Sequence, residues 1–242
     1  MVPTTVFNDF EIEEPIYTPN IVCDILNSLS TNKASGPDRI NNKILKACSD
    51  SLANPLSKIF NLCQQNATFP NKWKMANVVP IFKKGNPHDC CNYRPISLLS
   101  TLGKVFEKCI YKFIHNFVLT HNILTVFQSG FRPNDSTVYQ LLDIYDQISK
   151  SLDQGTEVKV IFFDISKAFD RVWHKGLLHK LNAIGVRGKL LSLIENYLQN
   201  RKQAVVFNGE YSNDNPMCSC GHQIENPEHY FLTVIIIQLS AM

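Results

Sequence analysis

The residues best suited to chemistry lie in one short string, residues 162–170 (FFDISKAFD). Asp164 follows an apolar run, and α/β folds place metals and phosphates beside a carboxylate at the carboxyl end of a buried strand. Asp170 lies six residues further on, where we expect it to bond the local backbone or cap the next helix. A lone aspartate after a strand can instead simply cap a turn. Asp164 by itself therefore fits both a metal or phosphate site and a turn cap.

A second set of candidate ligands lies near the end of the chain. Cys218, Cys220 and His229 could bind zinc, which in structural sites takes four ligands in a tetrahedron. The spacing of His222 does not suit a fourth ligand. We therefore expect no stable zinc site here, and the alternative is a flexible tail with unused thiols.

The charged residues are segregated along the chain, although the formal net charge is only +3. Residues 1–30 and 213–242 contain no lysine or arginine. Residues 71–112 contain seven lysines and one arginine, with aromatic residues among them, and include Lys83, Lys84 and Arg94. Such a segment suits a polyanion, because lysine or arginine beside a phosphate releases a counterion. The alternative to a polyanion-binding site is a basic surface that is simply exposed to solvent, and the charge pattern alone favours that alternative.

Apolar periodicity and turn residues predict the elements that position these groups. Residues 1–18 form an acidic, loosely held lead-in. Helices are predicted over 21–29, 41–51, 56–66, 103–120, 175–184 and 188–198. A further helix is predicted to begin at a cap at Asp135/Ser136. Short strands are predicted over 77–82 and 203–207, the second entering a hairpin turn at Asn208-Gly209.

The best strand signal is residues 158–163 (VKVIFF), just before Asp164. Its β-branched and aromatic residues are almost continuously apolar, which predicts a central strand buried on both faces. Helices that alternate with isolated strands make the fold class α+β, a mixed α/β architecture rich in helix.

Several ordered motifs together resemble one family. Residues 162–170 are similar to the first palm motif of reverse transcriptases, particularly those of non-LTR (LINE-like) retrotransposons. The other matching segments are 33–38 (KASGPD), 73–85 (the fingers strand and loop), 92–99 (NYRPISLL) and 128–132 (QSGFR). Order and spacing agree from about residue 30 to 212.

The resemblance implies the fingers and partial palm of a right-hand polymerase, with an RNA template, a DNA primer and deoxynucleotides as partners. Polymerases of this family hold two Mg²⁺ ions, which lower the pKa of the primer 3′-hydroxyl and stabilise the transferring phosphoryl group. By resemblance, Asp164 is the catalytic residue and one of the carboxylates that bind those ions. Phe169 would be the steric gate under the sugar, which selects deoxynucleotides.

The resemblance also assigns roles to residues of the fingers. Arg132, Lys83 and Lys84 would neutralise the nucleotide triphosphate. Arg94 would face template or nucleotide phosphate, while Gln128 and Phe131 would shape the template path. Taken singly, Arg132 could be a surface arginine beside a helix and Phe169 a core aromatic.

The pattern breaks after residue 212. The family supplies further metal-binding carboxylates from an Asp-Asp hairpin, and no Asp-Asp pair occurs in this sequence. A Pro-Gln-Gly segment and the thumb are also missing. The tail is similar to the cysteine/histidine knuckle that closes many of these elements, but Val234 stands where its last cysteine would fall. We therefore expect an internally truncated copy that is inactive by itself, because one carboxylate holds Mg²⁺ weakly.

The predicted organisation has three parts: an acidic lead-in and first helix (1–29), a partial reverse transcriptase domain (30–212) and a knuckle-like remnant (213–242). One alternative is a non-catalytic remnant that binds RNA or a nucleic-acid single strand. Another is a poorly folded product whose strand at 158–163 lacks its partners. The sequence shows neither an apolar stretch of about 20 residues nor a secretory signal, so we expect an intracellular protein of the cytoplasm or nucleus, without membrane association. The oligomeric state is left open.

Overall fold

The computed structural model describes residues 10–125, 127–164, 172–207 and 210–211. Seven α-helices occur in these ranges: α1 (Pro19–Asn27), α2 (Asn42–Ala47), α3 (Ser49–Gln65), α4 (Thr101–Thr120), α5 (Thr137–Asp153), α6 (His174–Ala183) and α7 (Gly188–Leu198). Short 3-10 helices cover Asn71–Lys74 and Cys90–Asn92. The strands of the same ranges are β1 (Met75–Phe82), β2 (Tyr93–Leu99), β3 (Lys202–Phe207) and β4 (Glu210–Tyr211). The predicted mixture of helix and sheet is confirmed.

Side-chain caps explain where several helices begin. The Oδ1 atom of Asn41 accepts a 2.9 Å hydrogen bond from the backbone N–H of Ile44 at the start of α2. The Oγ atom of Ser136 accepts a 3.2 Å bond from the N–H of Tyr139 at the start of α5. Such bonds satisfy N–H groups that have no partner within the helix. The cap predicted at Asp135/Ser136 is therefore confirmed at Ser136.

The helix boundary predicted near Pro55 is wrong. The prediction ended one helix at residue 51 and began the next at residue 56, whereas α3 runs continuously from Ser49 to Gln65 with Pro55 inside it. A proline within a helix removes one hydrogen bond and strains the preceding turn. The buried face of α3, which includes Leu56 and Phe60, offsets that cost.

The four strands form one sheet in the order β2-β1-β3-β4. β1 and β2 are antiparallel, with Ala76 opposite Leu99 and Phe82 opposite Tyr93. β1 and β3 are parallel, and β3 and β4 form the predicted antiparallel hairpin. β2 was not predicted. Its Pro95 is tolerated because β2 lies at the edge of the sheet.

The hydrophobic core lies among α1, α3, α4, α6 and α7 and contains a group of stacked aromatic rings. The Phe106 ring lies 4.6 Å from the Phe60 ring and 5.4 Å from the Phe69 ring, centroid to centroid, and both pairs are nearly parallel. Tyr17 packs edge-on against Phe106 and is fully buried. Burial also raises the pKa of the Tyr17 hydroxyl, which donates to the side chain of Gln64.

The acidic lead-in is packed rather than loosely held where the structure describes it. The Ile12 N–H donates a 3.0 Å hydrogen bond to the carbonyl of Gly185, which joins the lead-in to the loop between α6 and α7. The buried Tyr17 closes one side of the core. The acidic residues led to the prediction of a loosely held lead-in, but Ile12 and Tyr17, which lie among and after the acids, pack against the core.

The prediction of a buried central strand at residues 158–163 is wrong. This segment has no regular secondary structure, and Ile161, Phe162 and Phe163 are 73%, 84% and 91% exposed. The preceding helix α5 buries none of its side chains either. A strand needs a neighbour for its backbone groups, and none of the described strands pairs with this segment. Apolar sequence alone therefore did not produce a strand here.

Candidate nucleic-acid interface

The β1–β2 hairpin carries three of the predicted basic residues. Lys83 and Lys84 lie in the loop that joins the strands, Arg94 lies on β2, and all three are exposed. Arg94 is directly opposite Ile81 in the ladder, and the Lys83 N–H donates a 2.8 Å hydrogen bond to the carbonyl of Asn92. The Lys83 bond extends the pairing of the two strands by one residue beyond β1, so Lys83 and Arg94 lie at the same end of the hairpin.

The loop between these strands is held in shape by hydrogen bonds. The Asn92 side-chain N–H donates to the Asn86 carbonyl at 3.0 Å, and the Tyr93 hydroxyl donates to the Pro87 carbonyl at 2.9 Å. Gly85 adopts φ +95°, which L side chains rarely adopt, and a Cβ there would lie within 3 Å of the Asn92 amide. The loop thus presents its lysines from an ordered backbone.

A second group of predicted residues lies in the turn between α4 and α5. The Arg132 guanidinium donates a 3.2 Å hydrogen bond to the Leu124 carbonyl, and the Gln128 amide donates to the Gly130 carbonyl at 3.2 Å. Phe131 is 43% exposed and has φ +63°. One N–H group of the Arg132 guanidinium thus helps to hold the shape of this turn. A guanidinium has five N–H donors in all.

Asp164 is exposed and lies at the end of the irregular segment that follows α5. Phe169 and Asp170 lie outside the described residues, as do Cys218, Cys220 and His229. Among the residues that the structure describes, one group of three metal-ligating side chains is close enough to share an ion: Asp89, Cys90 and Cys91. Asp164 does not belong to that group.

The segment at residues 33–38 contacts the junction between β2 and α4, a relationship that the sequence did not reveal. The Ser100 hydroxyl donates a 2.6 Å hydrogen bond to Oδ2 of Asp38, and the Thr101 hydroxyl donates to the Ile40 carbonyl at 3.0 Å. A Cβ on Gly36 would lie 2.3 Å from the carbonyl carbon of Leu99. The glycine is therefore required for close backbone approach, and the adjacent turn residues were the only signal in the sequence.

Ionisable side chains are buried near the first residues of β1 and β3. Glu107 on α4 is 2% exposed and shares a hydrogen bond with Tyr197 on α7. Burial raises the Glu107 pKa to about 7, and the charge of Arg201 opposes that shift. The Lys74 ammonium donates to Oδ1 of Asn196 at 2.9 Å, and burial lowers the Lys74 pKa. These contacts fix α4 and α7 beside the first residues of β1 and β3.

Arg201 completes this buried cluster. Its guanidinium donates to the Tyr197 carbonyl at 3.3 Å and lies 4.7 Å from the centre of the Tyr197 ring. Lys202, the next residue, pairs with Met75 at the start of the parallel ladder. The cluster thus sets the position of β3 relative to β1, and it was not predicted because its members are far apart in the sequence.

Comparison with known families decides what kind of domain this is. Residues 81–221, more than half of the chain, match the family described as Reverse transcriptase (RNA-dependent DNA polymerase). The chain belongs to the reverse transcriptase family. The match includes the β1–β2 loop, the turn at Arg132 and the segment that ends at Asp164.

Relatives of this reverse transcriptase-family chain occur in mobile elements of Drosophila melanogaster. It is 34% identical over 200 residues to a "Probable RNA-directed DNA polymerase from transposon BS", which covers 82% of the chain and 22% of the relative. It is 34% identical over 207 residues to the "Probable RNA-directed DNA polymerase from transposon X-element", and the match covers 84% of the chain and 23% of the relative. The RNA-directed DNA polymerase from the mobile element jockey is 31% identical to the chain over 199 residues, and the match covers 82% of the chain and 22% of the relative. The predicted resemblance to non-LTR retrotransposon reverse transcriptases is confirmed.

The reverse transcriptase-family chain spans about a fifth of the length of these relatives. In the part of the chain that the structure describes, no helix combines the length and apolar character needed to cross a bilayer.

Proposed function

We propose that this chain is a reverse transcriptase domain that contacts RNA and DNA through its β1–β2 hairpin and does not extend a primer by itself. Residues 30–212 would form the fingers and the opening of the palm of a right-hand polymerase, after a lead-in at 1–29 and before a tail at 213–242. The relatives named RNA-directed DNA polymerase support an RNA template, a DNA primer and deoxynucleotides as the partners.

The observation that carries this proposal is the exposed basic end of the hairpin, which lies inside the family match. Lys83, Lys84 and Arg94 project from a loop and strand whose backbone is fixed by hydrogen bonds. Ordered cations lose less conformational entropy when they bind a phosphate than cations on a mobile segment do. Lys83 and Lys84 would meet nucleotide phosphates, and Arg94 would meet template or nucleotide phosphate.

The turn at residues 128–132 supports a related role. Arg132 uses one donor on the Leu124 carbonyl and retains others for a nucleotide phosphate. The exposed ring of Phe131 and the side chain of Gln128 would border the template path. Phe169 would act as the steric gate against a 2′-hydroxyl, a role that rests on the resemblance of its motif.

The described residues do not fit a complete site for two magnesium ions. Mg²⁺ prefers oxygen ligands in octahedral geometry and gives up its waters reluctantly, so a single carboxylate holds it weakly. Asp164 is not part of a group of three ligating side chains within the described residues. The family uses magnesium to activate the primer hydroxyl and stabilise the transferring phosphoryl group. Since Asp164 alone cannot hold both ions, we propose that primer extension is absent in the isolated chain.

Binding to single-stranded RNA over a range of salt concentrations tests the proposal. The triple variant K83A/K84A/R94A is compared with K43A/K58A/K189A, which removes three exposed lysines from helices outside the hairpin. We expect the hairpin variant to weaken affinity about 10- to 100-fold and to lower the log-salt slope by about 2, because each lost phosphate contact on a single strand lowers it by about 0.7. Equal affinities for the two variants, or no binding by the natural chain at low salt, would contradict the proposal.

A second candidate is a product that does not fold cooperatively and has no nucleic-acid function. The exposed apolar side chains of α5 and of residues 158–163 favour it, because unburied apolar surface adds nothing to stability. A broad thermal transition with persistent oligomers would support this candidate. A sharp transition of a monomer would exclude it.

A further inference from the structure

Three metal-ligating side chains converge on the β1–β2 loop, and Asp164 is not among them. The Asp89 carboxylate oxygen and the sulfur atoms of Cys90 and Cys91 all lie within 4.8 Å of one another. All three residues are exposed, and both cysteines are free thiols. Neither the family match nor the predicted catalytic residues assign any role to this group.

The backbone that carries these ligands is fixed on both sides. The Asp89 N–H donates to the Asn86 carbonyl at 3.1 Å, and the Asn92 N–H donates to the Asp89 carbonyl at 3.1 Å. One oxygen of the Asp89 carboxylate accepts a 2.9 Å hydrogen bond from the N–H of Cys91. The loop therefore holds the three side chains on one short turn, and the carboxylate is oriented towards the cysteines.

The donor set determines which ion would suit the group. Two sulfur atoms and one carboxylate oxygen match a borderline-soft ion such as zinc better than magnesium, which prefers oxygen ligands alone. In tetrahedral zinc sites the bonds are about 2.0–2.3 Å, so neighbouring ligand atoms lie about 3.5–3.8 Å apart. Ligand atoms within 4.8 Å of one another are at most about 1.3 Å further apart than that spacing.

We propose that Asp89, Cys90 and Cys91 form a Zn²⁺ site with three protein ligands and a fourth position open to solvent. Binding replaces the thiol protons with the metal, and the released protons pass to the solvent. The site belongs to the loop that also presents Lys83 and Lys84, and its ion would join three neighbouring side chains of that loop. The inference does not depend on primer extension or on RNA binding by the hairpin.

A competition titration tests this site. The reduced, metal-free full chain receives Zn²⁺ in the presence of a chromogenic chelator, and C90S/C91S is compared with C218S/C220S, which removes the thiols of the tail. We expect C90S/C91S to weaken zinc binding by more than about tenfold while C218S/C220S leaves the site intact. Binding that persists in C90S/C91S, binding that is lost in C218S/C220S, or no binding in the natural chain would each overturn the proposal.

The Asp89→Asn variant separates the metal ligand from the loop cap. Asparagine keeps an oxygen that can accept the Cys91 N–H, but it lacks the carboxylate charge that zinc prefers. We expect D89N to lower zinc affinity about tenfold while its far-UV circular dichroism and thermal midpoint match those of the natural chain. Unchanged affinity in D89N would remove Asp89 from the site, and with it the three-ligand proposal.

Discussion

The Oδ2 atom of Asp38 accepts a 2.6 Å hydrogen bond from the hydroxyl of Ser100, which lies 62 positions further along the chain. Ser100 also caps α4, because its Oγ atom accepts from the N–H of Gly103 at 3.4 Å. One buried hydroxyl thus joins the segment at residues 33–38 to the end of β2 and the start of α4. Two motifs that the sequence presented as separate are parts of one structural junction.

This junction predicts a loss of stability in Ser100→Ala. The substitution removes both the helix cap and the donor to Asp38, so we expect the free energy of unfolding to fall by about 1–2 kcal/mol. Asp38→Asn keeps an acceptor and should cost less. A double-mutant cycle with Asp38→Ala, measured by urea unfolding, should give a coupling of about 1 kcal/mol, whereas additive losses would show that the bond contributes nothing.

Gly36 should tolerate no side chain. A Cβ at this position would lie 2.3 Å from the Leu99 carbonyl carbon and 2.6 Å from the Ser100 nitrogen, and both are backbone atoms. We expect Gly36→Ala to lower the free energy of unfolding by about 1–3 kcal/mol, because the segments must separate. The control is Gly130→Ala, where nothing lies within 4 Å and the change should stay within about 0.5 kcal/mol. Equal effects at both positions would contradict the close packing.

The buried Glu107 predicts how stability depends on pH. Its pKa rises from 4.5 to about 7 through burial, so between these values the folded chain keeps a proton that the unfolded chain releases. The free energy of unfolding should therefore fall by up to about 3 kcal/mol as pH rises through that window. Above the window it should level off.

Glu107→Gln tests that dependence, because the amide cannot ionise and can still accept a hydrogen bond from Tyr197. Relative to the natural chain, E107Q should gain stability as pH rises from about 5 to about 8. Urea unfolding at several pH values measures the difference. A difference that stays constant across this range would show that Glu107 keeps an ordinary pKa.

The exposed face of α5 should contribute little to stability. Leu142 is 57% exposed, so we expect Leu142→Ala to change the free energy of unfolding by no more than about 0.5 kcal/mol. The matched substitution Leu190→Ala, at a core position on α7 that is 1% exposed, should cost about 2–5 kcal/mol. A large loss in Leu142→Ala would mean that α5 packs against the body of the protein in solution.

The sequence predicted those elements whose signals are local. The cap at Ser136, the helix from Gly188 to Leu198 and the hairpin after Phe207 all follow from caps, periodicity or turn residues within a few positions. The family was predictable for a related reason, because each motif is a contiguous string.

The features that the sequence did not predict depend on contacts between distant segments. β2 contains Pro95, and a proline fits a strand only where the strand lies at the edge of a sheet, which is a property of the tertiary structure. The strand predicted at residues 158–163 had the right composition but no neighbour to pair with. The bond between Asp38 and Ser100 and the cluster around Glu107 join residues whose proximity no local pattern encodes.

Primer extension on an RNA template with a DNA primer, Mg²⁺ and deoxynucleotides measures whether this chain polymerises DNA by itself. The chain is assayed beside its Asp164→Asn variant, with an active reverse transcriptase as the positive control. We expect no template-dependent incorporation by either protein, because Asp164 alone cannot hold the two metal ions of this chemistry. Template-dependent incorporation by the natural chain that is lost in D164N would contradict this expectation.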